Sequence, residues 1–342
     1  MDQNYQSLHC HTTTSDGNLN HLEVLNTANR HGLSVITFTD HDALPNKETV
    51  NLLKNNKEHP TKWVMGIELS SGLPLEIGGG SFSGLHIVGL FVDPTDQKLQ
   101  EHCRKAQEAR VARMEQMVAN LRGLGFKISA NDCLKASGGE AVGRPHIVTA
   151  LKDKEENLVI IEQLRQKMQQ AAEKDPAIEV TYESMMQQGE HQYPYQLFLT
   201  NNSFIPNVYV NYQYWVDLDK SVELIRNAGG LAVIAHYSTA KSKIPTAMLT
   251  RLLEQNRLDG AEVVFGLHAY DTEQEKDTEK DRQLCRDLCQ KYNKITSGGV
   301  DIHTKEDFVD FVAADWYAKE TIGMAERIID QTGVNTKWSS LN

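Results

Sequence analysis

At 342 residues the chain is long enough for one large barrel or two ordinary domains, and its 40% hydrophobic and 24% charged residues are those of an ordinary globular protein. No apolar run has the length of a membrane span and the polar stretch Met1–Ser7 lacks the core of a secretory leader, so no membrane partner is expected. A formal net charge of −11 speaks against stable binding of duplex nucleic acid.

Tyr5–His9 reads as a strand, and Leu19–His31 as a helix with Leu22, Leu25 and Ala28 on one face, opened by Asn18 or Asn20 and stopped at Gly32. Ser34–Thr39 is β-branched and aromatic, hence a strand. A polar helix around Lys47–Lys57 precedes a strand at Trp63–Leu69, and Gly78-Gly79-Gly80 turns the chain into another at His86–Val92. From Asp96 to Arg122 a long charged helix, a solvated outer face, runs to Gly123. The stretch 129–215 breaks the alternation, with a charged helix near Glu155–Glu173 and then a segment rich in Gln, Asn and Tyr. It is expected to be an inserted, mainly helical subdomain on the substrate side, leaving 1–128 and 216–342 to the main domain. Helices at Leu218–Asn227, Pro245–Gln255 and Thr272–Tyr292 then alternate with strands at Leu231–Ala235, Ala261–Phe265 and Ile295–Gly299.

Repeated strand–helix units predict parallel strands wrapped by helices. The number of units favours a barrel over an open sheet, and no Gly-x-Gly-x-x-Gly follows the first strand to suggest a dinucleotide site. Residues ending barrel strands converge on one rim. Here His9, Asp40 with His41, Glu68, His236 and Asp301 fall at such ends. In His9-Cys10-His11 the two imidazoles share a face while Cys10 points away. With Asp16, His86 and His303, and with Asp40 set aside, the candidate ligands number nine, too many for one ion and enough for two or three. Imidazole mixed with carboxylate suits Zn, Mn or Fe. A carboxylate such as Glu68 can bridge two ions, and paired ions can assist an in-line phosphoryl displacement by an acidified water, with no Ser or Cys nucleophile.

The runs Leu8-His9-Cys10-His11-Thr12-Thr13-Thr14-Ser15-Asp16-Gly17 and Ile36-Thr37-Phe38-Thr39-Asp40-His41-Asp42 resemble the opening of the polymerase-and-histidinol-phosphatase (PHP) family. Gly66-Ile67-Glu68, His86-Ile87-Val88-Gly89-Leu90, Gly143-Arg144-Pro145-His146, Ala232-Val233-Ile234-Ala235-His236 and Asp301-Ile302-His303 continue the resemblance in order. It implies an α/β fold, a distorted (β/α)7 TIM-like barrel. It also implies a metal-dependent phosphoesterase of the stand-alone branch acting on nucleoside mono- or 3′,5′-bisphosphates or the 5′ ends of short RNA. One metal would be held by His9, His11, Glu68 and Asp301, with Glu68 bridging to a second on His86 and His236, and a third on Asp16, His41 and His303. Arg144 and His146 would meet the substrate phosphate, Arg144 as a bidentate fork. Two departures concern the rim: Val300 replaces a small polar residue in the last motif, and Tyr237 replaces the usual Pro after His236.

The remaining polar residues read more plainly. Asp40 is expected to hydrogen-bond a ligand imidazole, not to ligate. His268 and Glu262, near the rim, are read as substrate contacts or as structural residues. His21, His31, His59, His102 and His191 are read as solvated, and Tyr209, Tyr212, Tyr214 and Trp215 as a base-stacking run or local packing. Cys10, Cys103, Cys133, Cys285 and Cys289 form no paired framework and predict reduced thiols in a cytoplasm. The alternatives to a phosphoesterase are a related amidohydrolase, whose acidified water attacks a carbonyl carbon, and a non-catalytic metal-stabilised module. Oligomeric state is left open.

Overall fold

The computed structural model describes residues 4–77, 82–138, 142–212, 214–266, 273–314 and 318–341. The Gly78-Gly79-Gly80 turn and His268 lie outside them. Seven strands form one sheet in sequence order: β1 (Tyr5–Ser7), β2 (Leu33–Phe38), β3 (Lys62–Gly72), β4 (Phe82–Leu90), β5 (Leu231–Ile234), β6 (Gly260–Val264) and β7 (Ile295–Gly298). Just past β1 and β7 the sheet meets itself. The Leu8 N–H donates to the Gly298 carbonyl at 2.9 Å, the His11 N–H to that of Ile302 at 2.7 Å, and Cys10 bridges Ile302 in parallel. This is the expected distorted (β/α)7 barrel. Gly299 makes the closure possible: a Cβ there would lie 2.3 Å from Ser7 Oγ and 2.8 Å from the His9 nitrogen.

One expectation fails. β4 runs antiparallel to both β3 and β5, so the sheet is mixed. Parallel neighbours require a crossover, whereas antiparallel ones can be joined directly. Only the single turn Leu75–Ile77 is described between β3 and β4, too little for a crossover helix. His86 consequently sits in mid-strand, opposite Ser70 of β3.

Helices pack outside the barrel. α1 (His21–Arg30) is opened by a capping box in which Asn20 and Glu23 satisfy one another's backbone N–H groups, and α2 (Lys47–Asn55) by Asn46. α3 (Gln97–Gly123) is the longest helix described. The sheet's apolar residues, among them Val35, Ile36, Val64, Ile67, Val88 and Val233, are all buried in one core, alternate ones facing the barrel interior and the surrounding helices. Behind it His21 and His102 are also buried, at 4% exposure each, which corrects their reading as solvated residues. Past the last site motif, helices Lys305–Ala313 and Met324–Thr332 complete the chain.

The chain divides into two compact units, Met1–Ala106 with Tyr214–Asn342, which holds the barrel, and Gln107–Gln213. The sequence reading starts its insertion at 129; the second unit starts inside α3, where an unbroken helix leaves no Gly or Pro to mark the boundary. That unit carries α4 (Ala130–Ala136), α5 (Arg144–Lys152), α6 (Glu155–Ala172) and α7 (Pro176–Gln188). Its own core includes Met117, Leu121, Phe126, Ile147, Leu151 and Phe198.

Candidate metal centre

The strands deliver their polar residues to one end of the barrel. His9 and His11 follow β1, His41 follows β2 and pairs with Glu68 of β3 in a parallel bridge, and His236 and Asp301 follow β5 and β7. Three sets present ligand atoms all within 4.8 Å of one another: His9, His11, Glu68 and Asp301; His41, Glu68 and His86; and His11, Asp16, His41 and His303. His236 joins through Nε2, 3.1 Å from Glu68 Oε1 and 3.4 Å from His86 Nδ1. The nine residues singled out in the sequence are thus in one cluster.

The separations suit shared cations better than direct hydrogen bonds. Glu68 Oε2 lies 3.2 Å from His9 Nε2, 3.2 Å from His11 Nε2 and 3.0 Å from His41 Nδ1. Yet Glu68 Oε2, His41 Nδ1, Asp16 Oδ1 and Asp301 Oδ1 are buried and make no hydrogen bond among the described residues. Ligands about 2.1 Å from a common ion stand about 3.0–3.4 Å from one another in octahedral or tetrahedral arrangements. Lone pairs aimed at such a common point, not at each other, account for both observations.

Tautomers point the same way. Glu262 Oε1, an acceptor, lies 2.8 Å from His9 Nδ1, so that nitrogen carries a proton and Nε2 is left to face inward. Thr239 donates its hydroxyl to the His236 carbonyl and accepts from His236 Nδ1 at 2.9 Å. His303 Nδ1 donates to the Asp301 carbonyl at 2.8 Å. Ser15 donates to Asp40 at 2.7 Å and accepts from His11 Nδ1 at 3.3 Å. Four imidazoles therefore turn Nε2 towards the cluster, each held from behind by an oxygen.

Two expectations are refined here. Among the described residues Asp40 bonds no imidazole directly: it accepts from the Thr12 N–H and hydroxyl and from Ser15, and reaches His11 through that serine. Glu262 is the support that the sequence left ambiguous. Fully buried, it holds His9 with one oxygen and accepts the His236 N–H with the other at 2.7 Å. Its place on β6, two residues from the strand end, was the available signal.

Charge in the cluster is arranged for cations. Burial would raise Glu68, but His41, His86 and His9 hold it well below the usual carboxylate range. Asp16 is held down against burial by His41, His303 and His11, and Asp301 by His9 and His11. Burial opposes protonation of His11, yet Asp301 and Glu68 push it up to about 10; His9 is raised well above its ordinary value against burial by Glu262, Glu68 and Asp301. For His86 burial wins and lowers it. The backbone is strained at two of these residues: His236 and Asp301 sit at φ 29° and 58°, unfavourable for residues with a Cβ. Beside the cluster a cleft of about 900 Å³ is lined by His41, His86, His236, Lys241, Asp301 and Asp307.

Arg144 and His146 belong to the second unit. Gly143 N–H donates to His146 Nδ1 at 2.9 Å at the start of α5, which places the ring proton on Nε2. Arg144 donates to the Leu199 carbonyl and stands 5.9 Å from the Tyr209 ring, with Arg113 5.0 Å from the same ring and Arg110 5.0 Å from Tyr212. Tyr209 and Tyr212 are therefore packed with arginines, and Tyr214 bonds His102 in the barrel unit.

A sequence model of the PHP domain matches residues 7–303. Among curated relatives, the 3′,5′-nucleoside bisphosphate phosphatase of Chromobacterium violaceum is 25% identical over 314 residues, 90% of this chain and 94% of that protein. The 5′-3′ exoribonuclease of Haemophilus influenzae is 24% identical over 296 residues, 86% of this chain and 89% of that one. A solved structure from Chromobacterium violaceum, described as an amidohydrolase with bound sulfate and no metal, has the same fold, with a TM-score of 0.62 at 24% identity over 88% of both chains. With the family's pattern running from the end of β1 through His303, the last of the clustered residues, this chain belongs to the PHP domain family.

Proposed function

We propose that the protein is a metal-dependent phosphoesterase that hydrolyses phosphate monoesters, with nucleoside mono- or 3′,5′-bisphosphates or the 5′ ends of short RNA as the substrate class. The observation that carries this is Glu68, whose two oxygens face different partners: Oε2 faces His9, His11 and His41, and Oε1 faces His86 and His236. On this reading His9, His11, Glu68 and Asp301 hold one ion, Glu68, His86 and His236 a second, and Asp16, His41 and His303 a third. The mixed nitrogen and oxygen donors suit Mn, Fe or Zn. Such ions supply Lewis acidity at a phosphoryl oxygen and lower the pKa of a water.

The chain's own residues do the rest. Glu262, Thr239 and Ser15 keep the inward nitrogens unprotonated when the ligands are engaged. Arg144, whose guanidinium is grouped with Arg110 and Arg113, offers phosphate a planar fork, and His146 offers an Nε2 proton. Repulsion from Arg144 and Arg110 adds to burial in holding Arg113 down to about 10, a cationic grouping suited to an anion. This favours phosphate over an amide substrate. No helix among the described residues is long and apolar enough to cross a membrane, and the five cysteines are free and buried, which suits a reducing cytoplasm.

The test is phosphate release by Mn²⁺-loaded protein across nucleoside monophosphates, 3′,5′-bisphosphates and short RNA, with His9→Ala alongside. Release that ranks these substrates and is lost in the variant is expected. Amide hydrolysis without phosphate release would move the assignment to an amidohydrolase.

A further inference from the structure

Asp42 follows the candidate ligand His41 and contributes no atom to the clusters. It is nevertheless 1% exposed and takes a left-handed backbone, φ 47°, which disfavours any residue with a Cβ. Three hydrogen bonds explain why the chain holds it so. The Asp42 N–H donates to the Glu68 carbonyl at 2.9 Å, and its carboxylate accepts from both the N–H and the hydroxyl of Ser70, at 2.8 and 2.7 Å. A loop residue next to one ligand thus grips β3 at another, Glu68, and again two residues beyond it.

That grip matters because His41 and Glu68 each belong to two of the three ligand sets, so their 3.0 Å approach bears on more than one ion position. The carboxylate is enclosed from behind. His102 of α3 turns Nε2 towards Asp42 Oδ1 at 3.7 Å, and the Tyr214 hydroxyl lies 3.1 Å from His102 Nδ1, which fixes the ring. Both Asp42 and His102 are buried, so water does not compete for these contacts.

We propose that Asp42 is a positioning residue of the metal centre: by clamping Ser70 from a left-handed backbone it sets the His41–Glu68 separation that the ion positions share. This rests on the metal-centre reading above. It concerns the geometry in which ions are held, and supports of this kind change metal affinity by about 10–100-fold when removed.

The test is equilibrium dialysis of the chelator-stripped full chain against Mn²⁺, with bound metal counted per chain and the melting temperature of the stripped protein measured in parallel. Asp42→Ala is expected to bind Mn²⁺ about tenfold more weakly or to retain fewer ions at the same free Mn²⁺. Asp42→Asn still accepts from the Ser70 N–H and should recover most of the affinity. Ser70→Ala removes only the hydroxyl bond, so it tests the clamp even if Asp42→Ala fails to fold, and weaker binding at an unchanged melting temperature is expected. Wild-type affinity in Ser70→Ala and in folded Asp42 variants, whatever their melting temperatures, overturns the positioning role alone. Wild-type protein that binds no Mn²⁺ overturns both this role and the metal-centre reading.

Discussion

Glu262 separates a ligand's chemistry from its support. It faces His9 and the His236 backbone at once, so Glu262→Gln can keep only one of the two bonds: an amide nitrogen set against the His236 N–H repels it. Metal affinity measured by competition with a chromogenic chelator should fall about tenfold in Glu262→Gln, while His9→Ala should lose the ion outright. The protonation of the histidines gives a second expectation with a definite sign. Metal-free His11, raised to about 10, and His9, raised well above its ordinary value, both carry protons at neutral pH. An ion must displace them, so binding releases protons, and apparent affinity rises with pH until His11 deprotonates unaided. Calorimetry in buffers of different ionisation enthalpy reads that release directly; a heat that does not depend on the buffer would contradict it.

The elements were legible where local chemistry sets them. Helix Leu218–Asn227 matches its expected bounds because Asp217 caps it and Leu218, Val222 and Ile225 recur at helical spacing on its buried face. β4 was legible as a strand but not in direction, since apolar content says nothing of which way a chain runs. His86 therefore looked like a residue at the wrong end of its strand, and antiparallel pairing is what brings it to Glu68. His9, His11, His41, His236 and Asp301 could be singled out because each stands just past a strand in a short polar motif. Glu262 and Asp42 could not be assigned: what they do depends on pairings across 253 and 28 residues. The barrel's closure makes its own prediction. Gly299→Ala would drive a methyl group into the backbone of His9, and should destabilise the fold by about 1–3 kcal/mol, read as a lower urea midpoint at unchanged slope.

At the scale of the whole molecule, a net charge of −11 and an anionic substrate class are compatible because the charge is not uniform. The acidic residues of the cluster are balanced by histidines and, on the proposed reading, by divalent ions, while Arg110, Arg113 and Arg144 gather in the second unit. If those arginines bind phosphate, Arg144→Ala should lower kcat/KM for phosphate release by about a hundredfold without changing the number of ions bound. The central claim is that ions held by this cluster drive phosphate ester hydrolysis. Its most direct test is a titration of chelator-stripped protein with Mn²⁺, following bound metal and phosphate release from a nucleoside 3′,5′-bisphosphate together. The account predicts that release is absent without metal and saturates at two or three ions per chain. Undiminished release from stripped protein, or fully loaded protein that releases no phosphate from any ester tried, would contradict it.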